Sequence, residues 1–163
     1  MANHRIALTC AMLIAAFCCT TAIAQAAVKR IQSDRSIIAT AIWAGDTLYV
    51  SGQLPAPTPA DPAKGTKAMI KGDTKAQTIN TLNVIQNILK EQGLAMSDVV
   101  QMRVYLVPDL ATGKADFAGM NDAYRQFFGT KEQPNKPVRA TIITSLVVPN
   151  ALVEIEVVAV KAK

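Results

Sequence analysis

Apolar and polar residues alternate along 47–53, Thr-Leu-Tyr-Val-Ser-Gly-Gln. That period of two predicts a strand, and residues 37–43 offer a second one before it. Ala44-Gly45-Asp46 between them has the composition of a hairpin turn. Residues 54–72 break the pattern with prolines at 55, 57, 59 and 62 and glycines at 65 and 72, which predicts a loop. Asp73 stands where a helix N-cap would. Ile79, Leu82, Ile85, Ile88 and Leu89 then recur at helical spacing as far as Gly93. A strand over 99–107 and a helix over 116–128 follow, the latter with Phe117, Met120, Tyr124, Phe127 and Phe128 on one side. Two strands, 139–148 and 152–160, end the chain around a Pro149-Asn150 turn. The order β-β-α-β-α-β-β predicts an α+β domain, a sheet with two helices packed on one face.

The faces of those strands carry more information. In the last strand Val153, Ile155, Val157 and Ala159 form an apolar row suited to helices, opposite Leu152, Glu154, Glu156, Val158 and Val160. Gln101, Arg103 and Tyr105, and likewise Arg139, Thr141, Ile143 and Ser145, make rows of mixed polarity. A mixed face is too apolar for open solvent and too polar for a core, so it is expected to meet another subunit.

The N-terminus is read as separate from the fold. Arg5 precedes an apolar block over 6–16, and Ala22-Ile23-Ala24 and Ala24-Gln25-Ala26 are both A-x-A patterns. This predicts a cleaved export signal over 1–24, with a cut after 24 or 26, and a periplasmic or secreted domain over 28–163. Phe17 before Cys18 is a poor fit to a lipoprotein cut. Cys10, Cys18, Cys19 and the one histidine, His4, would leave with the leader. The remaining chain then has no thiol nucleophile, no disulfide, no Ser-His-Asp triad and no Cys/His zinc site. Its balance falls from +5 to +4 as Arg5 is lost, mildly favouring small anions. With 163 residues, half of them apolar, the length and composition suit one globular domain rather than a disordered chain. After residue 24 no apolar run approaches the roughly 20 residues of a spanning helix.

Four motifs in order resemble one family. They are Ser51-Gly52-Gln53 at a strand end, Met120-Asn121-x-x-Tyr124-x-x-Phe127-Phe128 on a helix, Pro137-x-Arg139-Ala140 opening a strand, and Val153-Glu154-Ile155-Glu156-x-x-Ala159-Val160 near the C-terminus. Together they resemble the Rid/YjgF family of enamine/imine deaminases across the chain that follows the leader. The resemblance implies a chorismate-mutase-like mixed sheet, a homotrimer with sites in the clefts between subunits, and no metal or cofactor. Its small-molecule partners would be 2-imino and 2-oxo acids.

Arg139 is the first candidate, since a guanidinium grips a carboxylate bidentately and stays charged at any working pH. Glu154 falls where the family carries an acidic residue near the reacting carbon, and a carboxylate there could deprotonate a water. Glu156 on the same face is its confounder. Ser51 and Gly52 fall where the family turns strand-end backbone and hydroxyl groups on the substrate. Asn121 is a cleft residue or a plain polar helix position. Three positions depart from the family pattern: Ile38 where it has a tyrosine, Thr141 where deaminating members have a cysteine, and Lys136 where an aromatic is common. Thr141 is kept as a substrate-binding candidate, and Lys136 as a second anionic contact. Hydrolysis of 2-imino or 2-enamino acids is the expected activity. The alternative is a trimer that binds small carboxylates, or a partner protein, without turnover. An endoribonuclease would lack a histidine for acid–base work, and no basic aromatic surface suggests nucleic acid.

Overall fold

The computed structural model describes residues 27–65 and 67–162. The expected leader lies outside the described residues. Six strands, β1 (Val28–Ile31), β2 (Ala41–Ala44), β3 (Thr47–Gln53), β4 (Val99–Leu106), β5 (Val138–Ile143) and β6 (Val153–Val160), form one sheet in the order β1-β2-β3-β6-β4-β5. All neighbours are antiparallel except β4 and β5. The fold is the α+β arrangement expected, a mixed sheet with helices α1 (Thr74–Glu91) and α2 (Phe117–Tyr124). The topology follows from two crossovers. Helix α2 links parallel neighbours β4 and β5. Helix α1 links β3 to β4 and leaves a gap that the last strand, β6, fills from the opposite direction.

Asp73 does cap α1, accepting from the Ala76 N–H at 2.8 Å. Leu82, Ile85, Ile88 and Leu89 lie buried against Leu48, Val104, Val153, Ile155 and Val157 of the sheet. In β6 the alternation holds throughout, with Val153, Ile155, Val157 and Ala159 buried and Glu154, Glu156, Val158 and Val160 on the other face.

Four details differ from the sequence reading. Residues 37–40 are not strand; β2 begins at Ala41, and the strand paired to its outer side is β1, whose sequence Val-Lys-Arg-Ile buries no residue. Helix α2 stops at Tyr124, where the N–H groups of Phe127 and Phe128 both turn back onto its carbonyl. Strand β5 ends at Ile143, and it pairs with β4 rather than β6. Finally, Arg139 and Thr141 lie across from Met102 and Val104, which are core residues. Cross-strand partners share a face, so the row Arg139, Thr141, Ile143 points to the helix side and not to the open face.

The open face carries no helix. Tyr49, Val158, Gln101, Arg103, Tyr105, Glu154, Glu156, Val138, Ala140 and Ile142 share it by register. Val138 is 71% exposed and Tyr49 51%, which leaves a broad apolar area uncovered in one chain. Among the described residues no helix is long and apolar enough to cross a membrane.

Candidate functional site

Strand β5 is the sheet edge, and α2 lies across its helix-facing side. Phe117, Met120, Asn121 and Tyr124 recur at i, i+3, i+4 and i+7, so they form one stripe on α2. All four touch Arg139. Its Nη2 donates to Asn121 Oδ1 at 2.7 Å, and its Nη1 donates to Met120 Sδ at 3.6 Å. The guanidinium carbon sits 4.5 Å from the centre of the Tyr124 ring and 5.9 Å from that of Phe117. Tyr124 in turn stacks on buried Phe128 with centroids 4.9 Å apart. The result is a fixed guanidinium plane on an aromatic platform, with three of its five N–H donors left over. Burial pushes the Tyr124 phenol above its ordinary pKa, while the charge of Arg139 opposes the shift, so the ring is neutral at working pH.

Thr141 lies two residues on, on the same side of β5. Its Oγ1 is buried with no hydrogen-bond partner among the described residues. An unpaired buried hydroxyl costs on the order of 1–3 kcal/mol, which singles out this position beside Arg139. A depression of about 250 Å³ opens at the start of β5, lined by Gln101, Met102, Arg103, Val138, Arg139 and Ala140.

The second group of candidates lies on the opposite face. A register shift between Val50 and Gln53 bulges Ser51 and Gly52 out of the ladder to β6. Gly52 meets Glu154 there: a Cβ at residue 52 would collide with Oε1 of that carboxylate. Close approach of this kind is what glycine permits. Ser51 Oγ donates to the Ala39 carbonyl at 2.7 Å, so its proton serves the preceding segment while its lone pairs stay available. Ile38 belongs to that segment and is 64% exposed.

Glu154 and its confounder differ in their partners. Glu156 forms an ion pair with Arg103 and, through its hydrogen bond and charge, raises the pKa of that guanidinium further. Glu154 has no hydrogen-bond or ion-pair partner among the described residues, so its carboxylate is free for other work. Lys136 is exposed, its side chain lying across Gly129.

The candidates therefore form two half-sites. Arg139, Asn121 and Thr141 sit together on the helix side of the sheet edge; Glu154, Gly52 and Ser51 sit together on the open face. One chain does not bring Arg139 and Glu154 to one ligand. A larger cavity of about 490 Å³ lies apart from both, between loops bearing Met69, Pro108 and Leu146. It holds neither Arg139 nor Glu154. Phe117, Met120 and Tyr124 were not among the sequence candidates for the site, although their helical spacing with Asn121 was there to read.

Comparison with known proteins identifies the family and the fold. The family described as Endoribonuclease L-PSP matches residues 30–161. A RutC family protein from Pyrococcus horikoshii is 37% identical over 121 residues, spanning 74% of this chain and 84% of its own. A RutC family protein from Haemophilus influenzae is 31% identical over 121 residues, with 74% and 84% covered. Among solved structures, a protein from Pseudomonas aeruginosa superposes with a TM-score of 0.63 at 27% identity, over 83% of this chain and 100% of that one. A YjgF family member from Neisseria meningitidis has a TM-score of 0.63 at 25% identity, covering 85% and 98%. The chain belongs to the Rid/YjgF family, which the Endoribonuclease L-PSP description also covers.

Proposed function

We propose that this protein hydrolyses 2-imino and 2-enamino acids to 2-oxo acids and ammonia, in clefts shared between the subunits of a homotrimer. The observation that carries the reading is Arg139, held flat by Asn121 and Tyr124 with donors to spare. A planar, preorganised guanidinium suits the carboxylate of such a substrate better than a flexible surface cation would. The unpaired carboxylate of Glu154 supplies the complementary chemistry. It takes a proton from a water as the oxygen attacks the C=N carbon. The proton passes on to nitrogen, giving a carbinolamine. Its hydroxyl proton then moves through the same carboxylate to the amino nitrogen as the C=O forms and the C–N bond breaks, so ammonia leaves a 2-oxo acid. A 2-enamino acid enters this sequence once C3 has gained a proton and nitrogen has lost one. The uncovered open face supports assembly, since a second chain laid against it would cover Val138 and Tyr49 and carry an Arg139 edge toward a neighbour's Glu154. Export to the periplasm or beyond rests on the leader residues alone.

The test generates 2-imino acids in situ with an amino-acid oxidase and catalase, and follows ammonia release with purified protein. Wild type should accelerate release. Arg139→Ala should lose roughly tenfold to hundredfold in kcat/KM, the scale of a charged bidentate contact, and Arg139→Lys should not restore it. Absence of acceleration with every imine would refute hydrolysis. Retained binding of 2-oxo acids through Arg139 would then leave a carboxylate-binding protein.

A further inference from the structure

Residues 36–40 hold two isoleucines in solvent on a fixed frame. Ile37 is fully exposed and Ile38 is 64% exposed. The frame is set by Ser36 Oγ donating to the Ile38 carbonyl at 2.7 Å, Ser51 Oγ donating to the Ala39 carbonyl at 2.7 Å, and the Ser51 N–H donating to the Thr40 carbonyl at 3.0 Å. On its other side the Thr40 N–H donates to the Ile31 carbonyl at 2.8 Å. A loop tied at both edges while presenting adjacent large apolar side chains marks a surface that something apolar occupies. The place is specific. The Ser51 hydrogen bonds hold Ala39 and Thr40 beside it, just past the Ala41–Val50 pair that ends the ladder, and the next residue, Gly52, is overlain by the free carboxylate of Glu154.

The other half-site has apolar flanks too, since Phe117 beside Arg139 is 51% exposed. A cleft closed from these two surfaces has one cation, one free carboxylate and hydrocarbon between and around them. A 2-imino acid has three parts: its carboxylate suits Arg139 and its reacting carbon suits Glu154. We propose that the third part, the substrate's own side chain, lies against Ile37 and Ile38, and that these residues select 2-imino acids with larger hydrophobic side chains over short or hydroxylated ones. This rests on the hydrolase reading for its chemistry. The selectivity itself is a property of binding and can be measured without turnover.

The experiment uses D-amino-acid oxidase with catalase on D-leucine, D-methionine, D-alanine and D-serine, whose imines have lost the configuration at Cα. For wild type, kcat/KM for the leucine- and methionine-derived imines should exceed that for the alanine- and serine-derived ones by roughly tenfold or more, the discrimination a few methylenes provide in an apolar subsite. In the Ile37→Ser/Ile38→Ser double variant that ratio should collapse to about twofold or less, whereas Ile38→Val should keep most of it. Calorimetry with 4-methyl-2-oxopentanoate and 2-oxopropanoate should show the same ratio, and its loss in the double variant, as affinities. An unchanged ratio in the double variant overturns the proposal. So does a variant that light scattering shows to have fallen apart from an assembled wild type, because the isoleucines would then be subunit contacts. If no imine is turned over but the branched 2-oxo acid binds preferentially through these isoleucines, hydrolysis fails and the subsite stands. Binding of neither acid removes both.

Discussion

Glu154 keeps its carboxylate over the backbone of β3 only because residue 52 has no side chain. Gly52 is not in the left-handed region, so alanine suits its backbone, and the obstacle is the end of a flexible glutamate. Gly52→Ala should therefore fold well, with a melting temperature within about 3 °C of wild type, the entropic gain of alanine offsetting local crowding. It should displace the carboxylate and lower imine hydrolysis by roughly tenfold or more, while 2-oxo acid affinity stays within a few-fold. Thermal melts, steady-state kinetics and calorimetry on the one variant check all three, and an unchanged kcat would mean that Glu154 does not handle the water from this position. Arg139 and Glu154 could be picked out in the sequence because their chemistry and their motifs coincide. Their separation onto two faces could not. Only two of the six β5 residues are even half-buried, and an alternation of arginine, threonine and isoleucine does not announce which side is covered. Glu154 and Glu156 were equally ambiguous, since choosing between them needs the position of Arg103 across the sheet.

Elements with a buried face were legible, and those without one were not. β6 and the second half of α1 are marked by their apolar rows. β1 escaped notice because Lys29 and Arg30 break its apolar row, leaving Ile31 alone to pack, half-buried, against the core; its charges suit an edge strand, where they discourage pairing with another chain. The first half of α1 is the subtler case, for its buried residues are Thr74, Gln77, Thr78 and Thr81. Each threonine hydroxyl at 78 and 81 bonds the carbonyl four residues back, at 2.6 and 2.9 Å. Gln77 reaches further, donating to the carbonyls of Gly72 at 3.0 Å and Asn150 at 2.9 Å and accepting from the Leu152 N–H at 2.8 Å. One amide thus fastens the start of α1 to the turn that launches β6, the strand bearing Glu154. Gln77→Leu keeps bulk but leaves the Leu152 N–H unpaired in a buried setting, a loss of about 2–3 kcal/mol. Calorimetric melting should fall by roughly 5–10 °C. A shift under about 1 °C would show that water or a neighbouring group replaces the amide.

At the scale of the whole molecule, two half-sites on opposite faces of one sheet make a test that a self-contained site could not pass. In the proposed trimer each cleft takes Arg139 from one subunit and Glu154 from the next. Arg139→Ala and Glu154→Gln homotrimers should both be nearly inactive, because every cleft in each lacks one partner. Refolded together in equal amounts, the two chains distribute at random, and about three in four of the assemblies contain both. Around a closed ring of three, such an assembly has a single junction where an intact Arg139 faces an intact Glu154. The mixture should therefore recover about a quarter of the wild-type sites, starting from two variants with almost none. The Gly52→Ala chain, impaired in the Glu154 half alone, should likewise be rescued by Arg139→Ala and not by Glu154→Gln. Activity is read as ammonia release after co-refolding, with light scattering to confirm the assembly and separately refolded chains mixed cold as the control. Recovery near a quarter requires that the arginine and the carboxylate come from different chains. No recovery from mixed, assembled trimers would place both groups of each working site on one chain, against the faces that the register of β4, β5 and β6 assigns them.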